Sequence, residues 1–207
     1  MNRNLLVHLL VAAMLLCVTS PALSSTFTFN LDYQLQNTPP TPWLTATFED
    51  VGNNKVKLTM TATDLPAIDG LKIKGWFFNI SNESLLGQLK FKHVEGLEAR
   101  SIGQGADAFG AGGTSGRGFD LYFAFPLLFG NTFGENEQSV YYIKGKGLSA
   151  EMFNLSNKDG SGDYFSAAKI AGGQNAGSLA AVPIPGAAWL LGTGLVGLVT
   201  IRRRRQR

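Results

Sequence analysis

Cysteine and histidine are nearly missing from this chain. Of 207 residues, one is cysteine, Cys17, and two are histidines, His8 and His93. Cys17 and His8 sit in or beside an N-terminal apolar run, so the rest of the chain keeps His93 alone. That excludes a disulfide framework and a Cys–His nucleophile pair from the middle, and histidine-rich zinc spacing is absent too. A Ser–His–Asp triad could be built only on His93, and no Gly-x-Ser-x-Gly elbow supports one. His93, in Phe91-Lys92-His93-Val94, reads as a strand side chain on the wet face. A basic folded part is missing as well. The whole chain carries +3, but residues 25–181 hold twelve Lys plus Arg against fifteen Asp plus Glu, a balance of −3. The basic excess belongs to the ends, and nucleic acid is not an expected partner.

The two ends are apolar. Arg3 begins a positive segment, Leu5 to Val18 is apolar apart from His8, and Pro21 follows. Ala22 and Ser24 then place small residues where signal peptidase reads, so residues 1–24 are expected to be a signal peptide cut after Ser24. Leu16 precedes Cys17 where a lipidated cysteine needs a small neighbour, which argues against a lipoprotein. Cleavage removes Cys17, and the mature chain must hold together by packing alone. At the other end, Pro183 to Ile201 has no charged residue. As a helix, those residues would reach about 28 Å at 1.5 Å per residue, close to a bilayer core. Pro183 and Pro185 suit its first turn and Trp189 suits the interface. Arg202, Arg203, Arg204 and Arg205 place the tail (202–207) in the cytoplasm and residues 25–181 on the outer side.

Val182-Pro183-Ile184-Pro185, followed by Ala187-Ala188-Trp189-Leu190, by Gly192, Gly194 and Gly197, and by the arginine cluster, resembles a PEP-CTERM sorting signal over 182–207. It is similar to the Val-Pro-x-Pro variant, with Ile184 where many members carry Glu. The resemblance implies recognition by exosortase, an integral-membrane processing enzyme of Gram-negative bacteria that make extracellular polysaccharide. It implies a passage through the inner membrane, cleavage near the prolines, and transfer to the cell surface or the extracellular matrix. Thr26 to Phe29, Trp43 to Phe48, Gly75 to Asn79 and Gly105 to Phe109 also resemble ectodomains found on such proteins, for which the resemblance implies no activity.

The middle alternates with period 2, the signature of half-buried strands. Phe27, Phe29, Leu31, Tyr33 and Leu35 read as one strand, and Trp43 to Glu49 as a second. Gly52-Asn53-Asn54 is a turn joining that strand to Val56–Ala62. Further strands are expected over Leu71–Ile80, Leu89–Val94, Phe119–Phe125, Ser139–Lys146 and Ala167–Ile170, with a short turn near Ser149–Leu155. The expected fold is all-β, a β-sandwich or jelly roll over 25–170. Residues 171–181 read as a flexible linker to the membrane segment.

Few residues nominate chemistry. Gly103-Gln104-Gly105-Ala106-Asp107-Ala108 fits G-x-G-x-x-A in letters, but a loop-like Gly-rich stretch follows it rather than a helix, so it reads as a connection and not a dinucleotide site. Gly145-Lys146 lacks the earlier glycine of a phosphate loop. No cofactor is expected, with one reservation. Asp159, Ser161 and Asp163 surround two glycines and could offer oxygen ligands to calcium, although an exposed turn is the favoured reading. Trp43, Trp76, Phe77, Phe78, Tyr122, Tyr141 and Tyr142 either fill a core or line a sugar-binding face. The expected role is non-enzymatic, structural or adhesive among polysaccharide. A permanently anchored carbohydrate-binding protein is the first alternative. A secreted hydrolase is the second, although no pair among the fifteen carboxylates is nominated by spacing. If the Asp159 cluster takes calcium, millimolar calcium raises the melting temperature; an unchanged melting curve removes the site.

Overall fold

The computed structural model describes residues 24–36, 44–63, 70–111, 118–127, 132–157, 163–172 and 177–181. Eleven strands form two antiparallel sheets. The first has the order β1 (Thr26–Leu31), β3 (Leu44–Asp50), β4 (Lys55–Ala62), β9 (Gln138–Lys144), β6 (Lys90–Gly96). The second runs β2 (Tyr33–Gln36), β11 (Gly177–Ala181), β10 (Ser166–Ala171), β5 (Lys72–Phe78), β8 (Phe119–Ala124), β7 (Ser101–Phe109). Seven of the ten strand-to-strand connections pass from one sheet to the other, and only β3–β4, β7–β8 and β10–β11 stay within a sheet. The expected all-β, sandwich-like character is therefore observed. Among the described residues no helix is long and apolar enough to cross a membrane.

Alternation in the sequence becomes inner rows across the first sheet. Phe27, Phe48, Leu58, Tyr141 and His93 are successive cross-strand partners, one from each strand. Phe29, Ala46, Met60 and Ser139 form the next such row. Residues of one row lie within side-chain reach of each other, so each strand's apolar set supports its neighbour's. The β3–β4 hairpin is as expected, and Gly52, Asn53 and Asn54 all take the positive φ that its turn requires.

The second sheet contributes Ile73, Trp76, Phe78, Leu121, Phe123, Ala168 and Ile170 to the same core. Aromatic contacts join the sheets. Phe48 meets Phe78 edge-on at 5.0 Å between centroids, and stacks on Phe153 of the 3-10 turn Ala150–Phe153 at 4.2 Å. Phe123 meets Phe91 and Tyr141 of the first sheet at 5.6 and 5.3 Å. Trp76 is fully buried, yet its indole N–H donates to Ser166 Oγ at 3.0 Å, and Ser166 donates onward to the Phe77 carbonyl. The one polar atom of the largest core side chain is thus satisfied.

Three expectations need correction. The run from Phe27 to Leu35 is two strands, because the chain leaves the first sheet at the exposed Asp32 and joins the second. Period 2 reports a wet and a dry face but not which sheet a strand joins. The Gly-rich stretch 101–109 is β7 and not a connection, paired with β8 and interrupted by an irregularity between Gln104 and Phe109. Residues 177–181, read as linker, form β11 between β10 and β2. Its small Ala180 and Ala181 are buried, so a composition that reads as a spacer here serves close packing.

Phe48→Ala removes the ring that touches both Phe78 and Phe153. The expected loss is about 3–5 kcal/mol of unfolding free energy by urea titration. Val94→Ala, at an exposed position, is expected to stay within about 0.5 kcal/mol.

Candidate functional site

An isolated glycine shapes the outer face of the second sheet. In β5, Gly75 pairs with Lys169 and Ile73 pairs with Ile170, leaving Lys74 without a partner on β10. This bulge lets Ile73 and Trp76 both point inward while Lys74 turns out to solvent. Strict alternation would have buried either the lysine or left the tryptophan outside. On the far side, Gly75 faces Ala124 and Phe77 faces Tyr122. The Tyr122 ring leans over Gly75 so closely that a Cβ there would collide with it. The same ring stacks on Phe77 at 4.7 Å and 19°. Phe77, Phe119, Tyr164, Ala111, Ala167 and Ala180 are buried with it in a second, smaller apolar cluster outside the main core.

Lys169 borders this face. Its Nζ donates to the Gly110 carbonyl at 3.0 Å and lies 5.6 Å from the Phe77 ring centre. Burial lowers its pKa, and the charge of Lys74 lowers it further. Burial also raises the pKa of the Tyr122 phenol.

Beside Tyr122 an open cleft of about 870 Å³ is lined by Lys74, Arg100, Ser101, Tyr122, Phe125 and Pro126, among others. That volume is within the range of small-molecule sites. Backbone bonds fix its walls. Arg100 N–H donates to the Ala124 carbonyl at 2.7 Å, and Phe125 N–H donates to the Lys74 carbonyl at 2.9 Å. The start of β5, the end of β8 and the residue that precedes β7 are thereby laced side by side. Among the described residues neither Lys74 nor Arg100 has an ion-pair partner; the pair that does form is Lys57–Glu49, at 3.9 Å on the surface. The described lining contains no carboxylate and no histidine. What the cleft offers is positive charge beside an aromatic ring and a small apolar floor.

Among the described residues, the carboxyl group with a shifted pKa lies elsewhere. Asp120 is buried, its Oδ2 accepting from Ile80 N–H and its Oδ1 from Asp107 N–H, each at 2.9 Å. Burial raises its pKa above the ordinary 3.8; the two backbone bonds oppose that rise and the Asp107 charge adds to it. Both oxygens are committed to clamping β7 and the end of β5, so this is a structural carboxyl.

His93 is corrected from its expected wet-face position. It is cross-strand to the buried Tyr141, with ring centres 5.3 Å apart, and its buried Nε2 has no hydrogen-bond partner among the described residues. Phe91 and His93 face inward and Lys92 and Val94 outward; a register slip between His93 and Glu95 follows. The aromatic run divides in the same way. Trp76, Phe77, Phe78 and Tyr141 are buried, Tyr122 lines the cleft, and Tyr142 is half-buried with Lys55 Nζ 4.5 Å above its ring.

Most other residues singled out by sequence lie outside the described residues: Ala22, Trp43, Val182, Pro183, Ile184, Pro185, Trp189, Gly192, Gly194, Gly197 and Arg202, Arg203, Arg204 and Arg205. Ser24 is described; it is exposed and its hydroxyl donates to the Asp50 carbonyl at 2.7 Å. Of the calcium candidates, Asp163 is exposed and Asp159 and Ser161 lie outside the described residues. Among the described residues no three His, Cys, Asp or Glu side chains gather as a metal-binding group. The cleft itself was missed by sequence reasoning. The available signal was Gly75 inside a strand, which marks a bulge or a close approach.

Asp120 yields a pH prediction. With its folded pKa above 3.8, the folded chain holds a proton that the unfolded chain has released. Its contribution to stability is complete below that ordinary value and is lost as pH rises through the raised one. The stability of the native chain relative to Asp120→Asn is therefore expected to be greatest in acid and to shrink toward neutral pH, measured by urea unfolding at several pH values.

No protein-family model matches the chain, and no curated protein or solved structure matches it.

Proposed function

We propose that this chain is an exported, non-enzymatic surface protein, sorted by an exosortase-type membrane enzyme, with a structural or adhesive role in an extracellular polysaccharide matrix. Signal peptidase removes residues 1–24. Residues 183–201 then hold the chain in the inner membrane, with the arginine tail in the cytoplasm and the jelly-roll-like domain in the periplasm. Cleavage near Val182–Pro185 sends the domain to the cell surface.

The observation that carries this reading is one of order: a proline motif, a 19-residue uncharged run with Gly192, Gly194 and Gly197, then four consecutive arginines. Two features of the folded part support it. Its core is built from packed rings with no cysteine among the described residues, which suits a mature chain that has lost Cys17. The last strand ends at Ala181, and Phe165 N–H donates to the Ala181 carbonyl at 2.9 Å. The described strands thus all precede the motif, and cutting there leaves the eleven of them intact.

A permanently anchored carbohydrate-binding protein is the second reading, favoured by the cleft at Tyr122. The two readings part on the mass of the mature species. Sorting predicts a chain that starts at Ser25 and ends near the prolines. Replacing Pro183 and Pro185 by alanine is expected to leave a membrane-bound form that keeps the arginine tail. Normal shortening of that double variant, or a native chain that retains its tail, contradicts the sorting reading.

A further inference from the structure

We infer that the cleft at the Lys74 bulge binds an acidic polysaccharide, a chain of carboxylated sugars, with Lys74 and Arg100 seating successive carboxylates and Tyr122 receiving a sugar ring. This deepens the matrix reading above and rests on it for the presence of such a polymer outside the cell.

The spacing of the cations comes first. Lys74 lies beside the end of β8 on one side and Arg100 on the other, since the strand order is β5-β8-β7. Two strand spacings separate their backbones, about 10 Å. Two charges placed across the strands in this way offer two anion seats, which suits a polymer with repeated charges better than one small ion.

Their isolation comes second. The folded region holds fifteen carboxylates and is net negative, yet none of the described residues lining this cleft is acidic. Lys169 stands on the same face, close enough to Lys74 for the two charges to repel. Like charges gathered without a counter-charge gain most when an anion arrives.

The aromatic ring comes third. Gly75 is what allows Tyr122 to lie down against the sheet, and Phe77 beneath fixes its angle. Among the described residues the Tyr122 hydroxyl has no hydrogen-bond partner. It remains able to serve a sugar hydroxyl. Phe125 and Pro126 extend the apolar surface, and Ser101 adds a hydroxyl at the rim. A flat ring with polar groups around it matches a pyranose, which has apolar faces and hydroxyl edges. Single-stranded nucleic acid would call for a row of stacking rings in a strongly basic groove. Here the described lining offers Tyr122 and the largely buried Phe125, in a domain whose net charge repels so dense a polyanion.

The test uses the full-length chain in mild detergent, titrated calorimetrically with a short oligohexuronate, the matching neutral oligohexose and a single-stranded oligonucleotide. The oligohexuronate is expected to bind, more weakly as salt is raised, and more tightly than either other probe. Lys74→Gln and Arg100→Gln are each expected to weaken it about three- to tenfold, as for charged hydrogen bonds at a partly wet site, with the melting temperature unchanged because both side chains are exposed. Tyr122→Leu is expected to weaken it too; a folding defect in that variant leaves the two charge variants to decide. No binding of the oligohexuronate, equal binding of the neutral chain, tighter binding of the oligonucleotide, or native affinity in both charge variants overturns the inference. A chain that is shortened at its C-terminus but binds no oligohexuronate overturns this inference alone. A chain that binds it but is never shortened overturns the sorting reading alone.

Discussion

The contact between Phe48 and Phe78 is the constraint on which the rest of the fold depends. It is a point where β3 of one sheet meets β5 of the other, edge to face. Phe153 closes over the first ring and Phe123 abuts the second at 5.9 Å. Such pairs add roughly 0.5–1.5 kcal/mol each beyond the apolar area that they bury. A sandwich with no disulfide has no covalent substitute for this packing. The rings must therefore arrive in register, and register is what the cross-strand rows of the first sheet and the Trp76–Ser166 bond of the second enforce.

That demand explains the irregular places. The bulge at Lys74 exists because Ile73 and Trp76 are both needed inside, three residues apart in a strand where the natural interval is two. Its by-product is an exposed lysine, a side-chain-free patch at Gly75 and a ring laid over that patch. The cleft is thus the outer expression of an adjustment made for the core. Asp120 plays a related part at the far end of β8. It replaces a stretch of ladder with two side-chain bonds, where β7 departs from regular pairing.

Most strands were legible because alternation survives in a sheet with one wet face. Val56, Leu58, Met60 and Ala62 could be read directly, and so could the turn at Gly52. The sheet assignment was not legible, since Leu31 and Tyr33 continue one alternation although Asp32 between them is where the chain changes sheets. β7 and β11 were hidden by their small residues. Gly103, Gly105, Ala180 and Ala181 look like spacer material, yet Gly103 lies against Phe109, and Ala180 and Ala181 are buried. The cleft was illegible for a stronger reason. Lys74 and Tyr122 come from two strands and Arg100 from the residue before a third, and only the strand order brings them together. His93 was placed on the wrong face because its chemistry suggested water, whereas its spacing from Phe91 had already put it inside.

The position of β11 has a mechanical consequence. It is not an edge strand; β10 and β2 pair with its two sides, antiparallel to it. A pull applied to the chain beyond Ala181 is delivered through that residue along the axis of the strand. The load then falls on both ladders in shear, so several hydrogen bonds resist together instead of parting one by one. A tether leaving from an outer strand would peel it. An interior strand at the C-terminal side of the described sheets thus resists a pull that would open an outer one.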